Sequence, residues 1–147
     1  MAKNQPENYP PRVVLEDGTE LRLVPLERTG RPLYVSAKGQ VYSYRRKIFR
    51  PLKPKYDTSP RNKYNGHRKQ RYLKMSRDHR YIFIHHAVAL AWIGPRPEGY
   101  ECDHLNGITT DNRLENLEWV TPEENMRRAL ELRKQRKAAA NKLTNNN

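Results

Sequence analysis

The stretch DHLNGITTDNRLENLEWVTPEENMRRAL, residues 103–130, decides how the rest of the chain is read. Asp103 and His104 are adjacent, Asn116 follows the histidine by twelve residues, and Asn125 comes nine further on. Residues 100–104 and 117–120 alternate like short strands. The twelve residues between them are rich in Asn, Asp and Thr, as a polar loop is. Thr121 then reads as a helix cap, with Pro122 at the first helical position and Glu124 completing a capping box. Acids at 123 and 124 suit the positive end of the helix. The helix is expected from Pro122 to about Lys137, giving a strand, loop, strand, helix unit.

Outward from this unit, His85 to Ile93 is apolar at helical spacing and is stopped by Gly94-Pro95. Three hairpins are expected upstream. Residues 13–15 and 21–24 turn at Asp17-Gly18, residues 33–36 and 41–44 turn at Gly39, and residues 71–76 meet 81–84. Residues 50–70 show neither period and read as a long basic loop or arm, in which Tyr56 and Tyr64 are local anchors. The fold class is therefore α+β: small antiparallel hairpins, then the strand, loop, strand, helix module with a C-terminal basic helix. The expected division is an N-terminal hairpin and basic region at 1–80, the module at 81–137 and a polar tail at 138–147.

The chain has 147 residues and a net charge of +13, but the charge is uneven. Residues 45–80 carry fourteen basic side chains against Asp57 and Asp78, whereas residues 81–126 carry two basic and eight acidic ones. Residues 127–147 are basic again, seven against one. An acidic centre between basic flanks suits a cation site held between arms that grip a phosphate backbone. Candidate nucleic-acid contacts are Arg45, Arg46, Lys47, Lys53, Lys55, Arg61, Lys63, Arg68, Lys69, Arg127 and Arg128. The single Cys102 forms no intramolecular disulfide, and a structural zinc would need ligands drawn from scattered residues. Neither a signal-type leader nor a run of roughly 20 apolar residues is present, so the chain is expected to be intracellular, with no membrane partner.

The four motif residues carry the chemistry. Asp103 and Asn125 offer hard oxygens to one Mg²⁺-like ion, whose other positions go to water and phosphate. His104 is then available as a general base toward the attacking water. Asn116 either orients the imidazole or pins the loop. In regular strand geometry Asp103 and His104 face opposite sides, so a strand end or bulge is expected to rotate them.

Asp103-His104, Asn106-Gly107, Asp111-Asn112, Asn116 to Thr121 and Glu124-Asn125 together resemble the HNH nucleases, in particular the branch found among phage and mobile-element homing endonucleases. The resemblance spans residues 85–130. It implies a ββα-metal fold, with His104 as general base, Asp103 and Asn125 as metal ligands and Asn116 as the middle asparagine of the motif. Many members have His where this chain has Asn125, and the amide oxygen favours Mg²⁺ or Mn²⁺. Residues 34–36 with 39–43 look like the short sheet module often attached to such nucleases.

What the resemblance implies is a metal-dependent endonuclease acting on double-stranded DNA. It would nick one strand per active site to leave 3′-hydroxyl and 5′-phosphate ends, as a monomer or weak dimer without a small-molecule cofactor. A catalytically silent DNA-binding protein on the same fold and an RNA-directed nuclease are the competing readings.

Overall fold

The computed structural model describes residues 9–26, 31–57, 72–77 and 80–144. Arg61, Lys63, Tyr64, Arg68 and Lys69 lie outside them. The first sheet is antiparallel, in the order β1 (Arg12–Val14), β2 (Glu20–Leu23), β3 (Leu33–Ser36), β4 (Val41–Arg45), β5 (Ile48–Leu52). Its first two hairpins are the ones expected. Gly18 and Gly39 turn them at φ 82° and 79°, values that favour a residue without Cβ.

The β4–β5 hairpin was not expected, because residues 50–70 read as loop. Its turn is made by Arg46 and Lys47, at φ 51° and 62°, where a two-residue turn ordinarily carries Asn or Gly. Such backbone costs roughly 1–3 kcal/mol per residue. β5 also lacks an alternating pattern and contains Pro51. As the last strand of its sheet, it tolerates a residue without an N–H.

A second sheet pairs β6 (Lys55–Tyr56), β7 (Leu73–Arg77) and β8 (Arg80–Phe83). β8 runs without a break into α1 (Ile84–Trp92). The third sheet is the ribbon of β9 (Glu101–His104) and β10 (Leu117–Val120), with a short 3₁₀ turn at Leu114–Asn116 and then α2 (Pro122–Thr144).

α1 is the post against which all three sheets lean. Ile84, Ala87 and Val88 pack with Leu33, Val35 and Val41 of the first sheet, with Val24 just beyond β2 and with Leu117 of the ribbon. Trp92 Nε1 donates to Val35 O at 3.2 Å, and the Arg22 guanidinium lies 4.1 Å from the Trp92 ring. The boundary expected at 80/81 falls inside β8, whose Ile82 packs against this core. On the other face of β3, Leu21, Tyr34 and Tyr42 form a second cluster with Tyr44 and Phe49.

Thr121 caps α2 as expected, its Oγ1 accepting from Glu124 N at 3.2 Å. The capping box does not close, because the Glu124 carboxylate is taken by Arg127 and Arg128 instead. α2 also passes the expected end at Lys137 and continues to Thr144. Ala138-Ala139-Ala140, all strong helix formers, carry it through the segment expected to be tail. α2 is held mainly by polar contacts, including Arg136 Nη2 to Asn106 O at 3.2 Å. No helix among the described residues is long and apolar enough to cross a membrane.

Candidate active site

The ribbon is regular. His104 pairs with Leu117, Asp103 with Glu118, Cys102 with Trp119 and Glu101 with Val120, with no extra residue on either strand. Of the strand end or bulge expected at Asp103-His104, no bulge is present, so the two side chains leave opposite faces. Directly opposed residues share a face, which puts Asp103 with Glu101 and Glu118 on the side of α2. His104 faces α1 with Cys102. Proximity comes from the strand end: His104 is the last residue of β9, and Gly107 N turns back to His104 O at 2.7 Å.

His104 is 5% exposed. Its Nε2 lies 2.9 Å from Asn112 Oδ1. A carboxamide oxygen only accepts, so Nε2 carries the proton and Nδ1 keeps its lone pair. Among the described residues only His85 Nδ1 is sealed from solvent without a partner; His104 Nδ1, also without a partner, keeps an opening. Burial pushes the His104 pKa below its ordinary 6.5, against the opposing pull of Asn112, Asp103 and Asp111. The ring is therefore neutral at neutral pH. Tyr72 and His85 flank it, with ring centroids 6.1 and 4.9 Å away.

Asn116 is 5% exposed and is occupied by the loop. Its Oδ1 accepts from Asn106 N at 2.9 Å and its Nδ2 donates to Asp111 O at 2.8 Å. Of the two roles open to it on sequence, these bonds are those of loop pinning, and Asn112 is the residue that touches the imidazole. Arg113 grips the Asp111 carboxylate through two bonds of 2.8 Å, which holds its pKa far below the usual range, aided by the Asn106 amide.

Asp103 and Asn125 lie on the other side of the ribbon, the one turned to α2. Among the described residues no hydrogen bond reaches the Asp103 carboxylate, which is 15% exposed; its nearest cation is Arg128 Nη1 at 3.7 Å. Arg128 spends its short bonds on Glu118, at 2.7 Å, and Glu124, at 2.8 Å. Asn125 Nδ2 donates to Glu101 Oε2 at 2.7 Å, which leaves Oδ1 open. An enclosed carboxylate without a donor and a free amide oxygen are hard ligands, and they fit a divalent cation that keeps water and phosphate in its remaining positions. The described residues gather no group of three His, Cys, Asp or Glu able to hold a metal. Any ion here relies on the amide.

The basic residues divide into two groups. Arg45, Arg46, Lys47, Lys53 and Lys55 are exposed and make no ion pair among the described residues. With Arg31 and Arg50, Arg45 and Arg46 line a groove of about 440 Å³ along β4 and β5. Arg127 and Arg128 are instead tied to Glu124.

Sequence reasoning missed Asn112, Glu101 and His85. Glu101 had a signal, standing two residues before Asp103 on the same strand face. Cys102 is half-buried beside His85 O, and burial pushes its thiol up to about 12, so it stays protonated.

Residues 82–127 match the family model described as HNH endonuclease. Over 50 residues the chain is 46% identical to an uncharacterised HNH endonuclease of Acanthamoeba polyphaga mimivirus, covering 33% of this chain and 13% of that protein. It is also similar to the solved structure of the HNH homing endonuclease I-HmuI, described for DNA binding and cleavage. That match has 22% identity and a TM-score of 0.47 over 67% of this chain and 52% of the other. Residues 82–127, the segment holding Asp103, His104, Asn116 and Asn125, are similar to the HNH endonucleases.

Proposed function

We propose that the chain is a divalent-metal-dependent DNA endonuclease that hydrolyses one strand per site, leaving 3′-hydroxyl and 5′-phosphate ends. The observation that carries this reading is the His104–Asn112 bond. It fixes a neutral imidazole with its basic Nδ1 free, one residue from a carboxylate that no donor occupies.

Asp103 and Asn125 would hold one Mg²⁺ or Mn²⁺, which when bound supplies charge stabilisation at the scissile phosphate and the leaving oxygen. His104 Nδ1 takes the proton of the attacking water, and Asn112 keeps the ring in the tautomer that permits it. Because Asp103 and His104 leave opposite faces, a phosphate shared by them lies across the end of the ribbon, where His104 is the last residue of β9. The exposed cations of β4 to β6 bind duplex phosphates, and Asn116 keeps the loop closed.

Supercoiled plasmid incubated with Mg²⁺ or Mn²⁺ tests this directly. The wild-type chain should nick it, EDTA should stop the reaction, and His104→Ala should reduce the rate by about 10²-fold or more. Binding without nicking under every metal tried would leave a DNA-binding protein, and undiminished nicking by His104→Ala would remove the histidine mechanism.

A further inference from the structure

We propose that Glu101 is a positioning residue: it sets the orientation of the Asn125 carboxamide and so decides that oxygen, not nitrogen, faces the cation. The inference rests on the metal reading above and concerns how that site is kept competent.

A carboxamide has two ends of nearly equal shape and opposite chemistry, and only the oxygen is a ligand for a hard cation. Left to itself, Asn125 would sample both orientations, one of which aims two N–H groups at the ion. The Glu101 carboxylate accepts and does not donate. Its Oε2 takes Asn125 Nδ2 at 2.7 Å, a charge-assisted bond. The flipped amide would set its oxygen against that carboxylate.

The geometry makes this contact specific. Glu101 and Asp103 are two apart in β9, on the face turned to α2. The Asn125 backbone is held by its own N–H to Thr121 O at 2.9 Å. With the main chain fixed and Nδ2 taken, Oδ1 is the free end. It accepts no hydrogen bond among the described residues, and neither does the Asp103 carboxylate. Glu101 thus acts on the cation through another residue, as outer-shell partners of metal ligands commonly do.

The test is Mn²⁺ affinity of the full chain without DNA, by calorimetry or electron paramagnetic resonance. It compares wild type, Glu101→Ala, Glu101→Gln, Asn125→Asp and Glu101→Ala combined with Asn125→Asp. Glu101→Ala should weaken binding about 10-fold, and Glu101→Gln, which keeps an acceptor oxygen, should restore most of it. In the Asn125→Asp background there is no amide to orient, so Glu101→Ala should cause no loss.

Equal losses for Glu101→Ala and Glu101→Gln in the presence of Asn125, with the Glu101→Ala loss repeated when Asp stands at 125, would make Glu101 a ligand and overturn the proposal. Wild-type affinity in Glu101→Ala would overturn it too, as would a fall in melting temperature in EDTA large enough to account for the lost binding. If the wild-type chain takes up no Mn²⁺ at all, the metal reading fails first and this inference falls with it.

Discussion

At the scale of single residues, the polar side chains around His104 are set by burial more than by charge. His85 is 5% exposed, its Nδ1 has no partner, and Phe83 stacks on its ring at 5.5 Å. Burial, followed by the electrostatic influence of the neighbouring His86 and His104, lowers its pKa from 6.5 to about 2. His86 and His104 are lowered as well. A histidine lowered in the folded state is neutral there and protonated in the unfolded chain once pH falls below 6.5. The unfolded state then binds more protons, and stability drops as pH falls. His85 alone should cost about 2 kcal/mol between pH 7 and pH 5. Urea titrations at the two pH values should show this loss, and His85→Leu should remove most of it while relieving the unpaired nitrogen. Equal pH dependence in wild type and variant would show that His85 is not held neutral.

At the scale of elements, the β3–β4 turn and the loop of the ribbon are built against each other. Leu114 N donates to Ala37 O at 2.8 Å, and a Cβ on Gly39 would lie 2.9 Å from Asn112 O. Gly39 therefore serves two needs, positive φ and room for the residue that orients His104. Gly18 supplies the control, since its φ of 82° nearly equals the 79° of Gly39 but nothing lies within 4 Å of its added Cβ. Both Gly→Ala variants should lose roughly 1–2 kcal/mol of stability from the left-handed backbone. Gly39→Ala should lose more, and plasmid nicking should fall only there. Matched losses in both stability and rate would show that the turn does not support Asn112.

The same elements show what a sequence can reveal. The Asp17-Gly18 turn, the Gly39 turn and the Thr121-Pro122 cap are legible because local backbone chemistry makes them. β5 was hidden because an edge strand needs neither alternation nor a donor at Pro51, and because its turn uses Arg and Lys where Gly or Asn would have signalled it. Of the candidate site, the placing of Asp103, His104, Asn116 and Asn125 on one strand, loop, strand, helix unit was readable from the sequence. The bonds that assign work to them were not. Whether Asn112 or Asn116 reaches an imidazole across a twelve-residue loop depends on where the 3₁₀ turn sends each side chain, and no periodicity records that.

At the scale of the whole molecule, the charge is arranged so that only part of it is available. Arg127 and Arg128 lie close to the acidic face, yet Glu124 holds both, at 2.6 and 2.8 Å, so a phosphate must displace a carboxylate to reach either. Arg45, Arg46 and Lys47 stand at the far end of the first sheet with no ion pair among the described residues, two of them on a backbone strained into positive φ. On the proposed function, each phosphate they would neutralise on duplex DNA releases counterions, with a slope of about −0.9 in log affinity against log salt per contact. Replacing all three by Ala should flatten the measured slope by about 2–3 and weaken binding to any duplex sequence alike. Arg127→Ala should leave the slope near that of the wild-type chain, because its charge is already compensated. Fluorescence anisotropy with an unrelated duplex across a salt series measures both. A triple variant with the wild-type slope would place the DNA elsewhere on the molecule, and a larger change from Arg127→Ala would move it onto α2.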